Sequence, residues 1–188
     1  MVSAGNLLSA RGEQTVKSGV MLLNRISTFD VQSRAMEPTI KKGTKLAVER
    51  FYYANNTLER WHVIFFILSN LETSLIPARL VQTDRNGKRA TMVRPHFPYV
   101  KRVVGLPGDT IKFTSKEILC DDRALDVPND ISSCYAAFRN FGRYKYGSKA
   151  YKVPDDGVFV LSDNLATGID SRHMGAIPLI CVSGRLAF

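Results

Sequence analysis

Three short stretches carry side chains whose types could do chemistry together. In QSRAMEPTIKKG, residues 32–43, small and polar residues lead into Met36 and Pro38-Thr39. That is the composition of a turn that presents a nucleophile, yet Ala35 stands where the reactive atom would be expected. In YVKRVVGLPGD, residues 99–109, Lys101 interrupts an apolar run. In LSDNLATGIDSR, residues 161–172, a hydrophobic strand opens into a polar loop holding Asp170 and Arg172. Strand alternation would project Lys101 to the same face as Tyr99 and Val103. On a buried face, desolvation disfavours the ammonium and makes the amine a general base near neutral pH. On a sheet edge, the same residue merely lays its stem over apolar surface and keeps its charge in water. The strand alone leaves both readings open.

The rest of the chain bounds what could position these residues. A chain of 188 residues, 45% apolar with ten Phe and seven Tyr, is most simply one folded domain with an insertion. A net charge of +9, from 26 basic and 17 acidic residues, suits a membrane surface of lipid head groups, or only a solvated exterior. The charge is dispersed and no RNA-binding signature or zinc-finger spacing accompanies it, so nucleic acid is not expected as a partner. The longest apolar run, Val63 to Leu68, is far short of the roughly 18–20 residues a spanning helix needs. Arg11, Glu13 and Lys17 interrupt any secretory signal. The expectation is either a soluble protein or one whose anchor lies outside this chain. His62, His96 and His173 are isolated and no Cys or His cluster has ligand spacing, so neither metal nor cofactor is expected. Cys120 and Cys134 could pair, closing a loop worth about 3 kcal/mol in an oxidising compartment, or remain two separate thiols. Cys181 reads as buried in a strand.

Residues 15–27 could form a short amphipathic helix, weakened by Gly19. Beyond Pro38 the texture is β. Strands are expected over Lys45–Arg50, Trp61–Leu68, Ala78–Asp84, Arg89–Pro95 and Tyr99–Gly105, and in TIKFTS, EILCDD, GVFVLSD and ICVSGRLAF. Asn86-Gly87 between two of them is a hairpin signal. This predicts a mainly β protein of packed or coiled antiparallel sheets. Its parts would be an N-terminal segment (1–29), a core (30–115 and 153–188) and an inserted, smaller β-rich region (116–152) rich in aromatic and basic residues. That aromatic-basic run is either a solvated loop or a contact for lipid head groups or a partner.

Taken in order, SRAMEPTI, YVKRVVGLPGD and SDNLATGIDSRHMGAIP resemble the type I signal peptidases, membrane-bound serine proteases with a Ser-Lys dyad. The likeness covers roughly residues 31–48, 99–113 and 157–187. It implies the signal peptidase catalytic core and places the nucleophile position at Ala35, where the family has serine. It implies Lys101 as general base and Ser33 as an oxyanion donor beside the backbone N–H of position 35. Asp170 and Arg172 would brace the active-site loops. Val31, Met36, Ile40, Tyr99 and Val100 would line shallow pockets for small residues, as in Ala-x-Ala sites, with substrate extended beside residues 30–33 and 98–100. The partners implied are signal peptides of preproteins, and the location is the extracytoplasmic, periplasmic face of the cytoplasmic membrane. Three positions depart from the family pattern. Its Gly-Asp-Asn is Ser162-Asp163-Asn164, its lysine-binding serine is Gly168, and its Gly-Asp before the strand VIFF is Trp61-His62. Thr167 is a candidate substitute hydroxyl. The expectation is an inactive Ser→Ala form of a signal peptidase. The alternatives are a natural pseudo-protease that binds signal-peptide-like segments uncut, and a non-protease module on the related self-cleaving repressor fold.

Overall fold

The structure, a computed structural model, describes residues 26–68, 81–83, 89–91, 98–136, 146 and 149–186. Its large sheet has seven strands: β1 (Ile26–Asp30), β2 (Lys45–Arg50), β3 (Val63–Ile67), β6 (Pro98–Gly105), β11 (Gly157–Leu161), β12 (Ile177–Pro178) and β13 (Val182–Leu186). Their order across the sheet is β1-β2-β13-β3-β6-β11-β12, with antiparallel neighbours throughout. Four strands make a second sheet, β10-β7-β8-β9, from β7 (Thr110–Phe113), β8 (Ile118–Cys120), β9 (Arg123–Ala124) and β10 (Tyr151–Lys152). Strands β4 (Val81–Thr83) and β5 (Arg89–Thr91) pair with each other. Two short helices, α1 (Ser132–Ala136) and α2 (Ser171–Met174), and two 3-10 turns, Tyr52–Ala54 and Leu179–Cys181, complete the described elements.

The run VIFF lacks polar alternation because β3 is covered on both faces. Ile64 and Phe66 pack with Val103, Val158 and Val160 on one side. Val63 and Phe65 pack with Val48, Met36 and Leu186 on the other. Full burial of each phenylalanine contributes about 2–3 kcal/mol. A third cluster joins the two sheets: Val104, Phe159 and Leu161 of the large sheet meet Ile111, Ile118, Ile131 and Tyr135. β13 threads between β2 and β3 at a bulge. Gly184 is required there, because a Cβ would lie 2.4 Å from the Glu49 carbonyl oxygen.

Most of the described strands lie where alternation and turn residues place them. One correction concerns the N-terminal segment. Ile26 and Ser27, assigned to the end of a helix over 15–27, belong instead to β1, where ladder bonds to β2 override a weak local helix preference; residues 15–25 lie outside the described residues. The expected Asn86-Gly87 turn also lies outside them, although β4 and β5 flank it in antiparallel register. Helices α1 and α2 are not foreseen from the sequence. The second of these depends on a capping box: Asp170 accepts from the backbone N–H of Arg172, and the Asp170 N–H donates to His173 Nδ1. Cys120 and Cys134 are both free thiols.

Candidate active site

Lys101 lies on β6, opposite Ile64 of β3, and only 4% of it is exposed. Burial is the main influence on its amine, lowering the pKa to about 8, while the carboxylates of Asp170 and Asp163 pull the other way. Its Nζ donates to the Val100 carbonyl at 2.8 Å and sits 6.0 Å from the Tyr99 ring centroid. The edge-strand reading of this lysine is therefore the wrong one, and the buried reading holds.

The 32–40 turn packs alongside. Ala35 is buried at its tip, and its N–H donates to Ser33 Oγ at 3.4 Å. The Asn164 N–H donates to the Ala35 carbonyl at 2.9 Å, which ties the third polar stretch to the first. A groove of about 360 Å³ is lined by Ser33, Ala35 and Lys101 together with Val31, Met36, Ile40, Tyr99 and Val100. Phe29, Leu46 and Phe65 also line it. These three carry no signal but hydrophobicity in the sequence and can be found only from the fold. Thr167 reaches the groove but is exposed, and among the described residues no hydrogen bond joins it to Lys101.

Asp170 and Arg172 stand behind the groove, both fully buried. The guanidinium grips the carboxylate through two 2.8 Å bonds, and the Ser162 N–H adds a third at 2.9 Å. Burial alone would raise the Asp170 pKa; Arg172 and these hydrogen bonds outweigh it and hold the carboxyl below the usual range. A parallel brace was not anticipated. Arg102, next to the lysine, holds Asp163 through bonds of 2.8 and 2.7 Å, and the Tyr135 hydroxyl donates to Asp163 at 3.0 Å. Arg102 also donates to the Trp61 carbonyl at 2.9 Å. Trp61 itself has φ 70°, a conformation costing a non-glycine residue about 1 kcal/mol. A glycine would adopt it freely.

The fold also gathers Asp109, Cys120 and Asp121, whose ligand atoms lie within 4.8 Å of one another, a grouping that spacing alone did not reveal. Their oxygens are already engaged. Asp109 pairs with Arg60 and accepts from the Leu106 N–H, and Asp121 accepts from the Thr110 N–H.

A buried amine and a small-residue turn lining one largely apolar groove suit a peptidase. The chain belongs to the signal peptidase family, peptidase S26, whose family model matches residues 15–188. It is 29% identical to a signal peptidase I of Leptolyngbya laminosa over 93% of this chain and 75% of that one. With a probable signal peptidase I-2 of Synechocystis it shares 28% identity, over 92% of this chain and 68% of the relative. A solved signal peptidase I of Enterococcus faecalis V583 aligns with a TM-score of 0.45 at 21% identity, over 70% of this chain and 98% of that one. That likeness is too loose to transfer residues.

Proposed function

We propose that this chain is a type I signal peptidase in which alanine holds the serine position, so that it binds the signal peptides of exported preproteins and polarises the scissile carbonyl without cutting it. The observation that carries the reading is the meeting of Lys101, lowered to a pKa of about 8, with Ala35 and Ser33 in one groove. With serine at 35, the lysine amine takes the hydroxyl proton as Oγ attacks the carbonyl carbon. Ser33 and the position-35 N–H stabilise the oxyanion, and the ammonium then protonates the leaving amine. Water repeats the sequence on the acyl-enzyme. The walls made by Val31, Met36, Ile40, Tyr99 and Val100 suit small residues before the cleaved bond. The reaction belongs at the extracytoplasmic membrane face, with lipid head groups as the neighbouring surface. In this reading residues 30–115 and 153–188 form the catalytic core and 116–152 is an insertion.

Ala35→Ser, incubated with a peptide bearing an Ala-x-Ala site in detergent or lipid, tests this. Cleavage that disappears when Lys101→Ala is added supports the dyad. Absence of cleavage with the peptide still bound favours a natural pseudo-protease, the second reading, which Gly168 and the strained Trp61 independently encourage. Absence of binding sinks both.

A further inference from the structure

Two buried polar groups of the site are short of partners, and the register brings them together. Val160 pairs with Val103 and Leu161 with Arg102, so one further step sets Ser162 opposite Lys101. Directly opposed residues of antiparallel strands project to the same face. Ser162 is fully buried, and its Oγ has no hydrogen-bond partner among the described residues. Such a hydroxyl left unsatisfied is costly, and native proteins rarely leave one without a reason. Lys101 has three N–H bonds to place in its charged form, and among the described residues Nζ bonds only the Val100 carbonyl. The nearby carboxylates are already held, Asp170 by Arg172 and Asp163 by Arg102. Ser162 is also wedged against Gly168: a Cβ built at 168 would stand 1.9 Å from Ser162 Oγ and 2.2 Å from Ser162 Cβ. The Ser162 hydroxyl thus fills the space that a side chain at 168 would occupy.

We propose that Ser162 is the positioning residue of this site: its hydroxyl accepts a hydrogen bond from Lys101 Nζ and holds the amine toward position 35. The inference rests on Lys101 acting as the base. A rotation about the serine χ1 or the end of the lysine chain makes the bond and satisfies both groups. Ser162 and Gly168 then form an exchanged pair, in which the hydroxyl comes from the strand end and the glycine from the loop.

The test has two arms. In the chain as it stands, the Lys101 amine is titrated by NMR with and without Ser162→Ala. The charged groups around it, Asp163, Asp170 and Arg172, and the Tyr99 ring are unchanged by that substitution. Loss of an acceptor for the ammonium lowers the Lys101 pKa by about half a unit or more. In the Ala35→Ser background, Ser162→Ala lowers kcat about tenfold or more with KM little changed, as expected for a group that orients a base. Gly168→Ser alone unfolds or destabilises the protein through the clash. Ser162→Gly with Gly168→Ser removes the two closest contacts, leaving a 3.0 Å approach to the Asn164 carbonyl oxygen, and recovers rate that Ser162→Gly alone lacks. An unchanged Lys101 titration in Ser162→Ala overturns the proposal, and so does an exchanged pair no faster than Ser162→Gly. If Ala35→Ser cleaves nothing in any background, the peptidase reading fails while the titration still decides the role of Ser162.

Discussion

At the scale of the residue, Lys101 makes two predictions that differ in sign of benefit. As a base it must be neutral to work, so Ala35→Ser should show a kcat/KM limb near pH 8, falling about tenfold per unit below it. A limb near the ordinary lysine range would mean that the buried environment does not tune the amine. As a structural element the same burial is a cost. The folded pKa lies below the unfolded value of about 10.4, so between about pH 8 and pH 10.4 the unfolded chain binds more protons. Stability therefore rises with pH through that window and is lost as pH falls through 8. Lys101→Met should then be more stable than the parent at pH 7, by on the order of 2 kcal/mol in urea denaturation, with the gap closing above about pH 10. Activity and stability pull against each other at one side chain.

At the scale of the element, the loop between β11 and α2 is fixed by two buried ion pairs, one at each end. Asp163 is clamped by Arg102 and Tyr135, and Asp170 by Arg172 and the Ser162 N–H. Removing one partner leaves a buried charge uncompensated, so Asp170→Asn should cost about 3–5 kcal/mol, read as a fall in Tm. Tyr135→Phe should cost only about 1 kcal/mol, because Arg102 still pairs with Asp163. Since the folded Asp170 pKa is depressed, its contribution is complete above about pH 4 and disappears as pH falls below that, and Asp170→Asn should flatten the acid limb of the stability curve. The sequence made the Asp170–Arg172 pair legible because it stands in a recognisable box, and Lys101 because a charge in an apolar strand is conspicuous. It concealed the Asp163 brace, since Arg102 and Tyr135 come from a strand and from a helix in another region, and only tertiary packing joins them. Strands with clear alternation or continuous apolar runs, such as β2, β3, β6 and β11, were legible in the same way. β1 and β12 were not, because their partners lie outside the local window, and α2 was not, because a single capped turn of four residues carries no periodicity.

At the scale of the whole molecule, a chain of net charge +9 also exposes large apolar side chains. Phe51, 63% exposed, follows β2 and donates its N–H to the Ser183 carbonyl, while Ile180, 91% exposed, lies two residues before β13. Both lie at the same end of adjacent antiparallel strands, and the Arg50 guanidinium stands 5.5 Å from the Phe51 ring centroid. Vesicles containing anionic lipid should retain the protein, and Phe51→Ser with Ile180→Ser should weaken that retention several-fold; retention unaffected by both changes would assign it to charge alone. The strand order has a further effect. β13, residues 182–186, lies in the interior of the large sheet, between strands laid down more than a hundred residues earlier. Until it arrives, β2 and β3 have no common neighbour, and the groove walls built on them, Leu46 and Phe65, have no shared floor. On the ribosome this protein cannot assemble its groove from the N-terminus onward. The site closes only after synthesis has passed residue 186, so a nascent peptidase has no formed groove in which to engage a preprotein while its own chain is still being made.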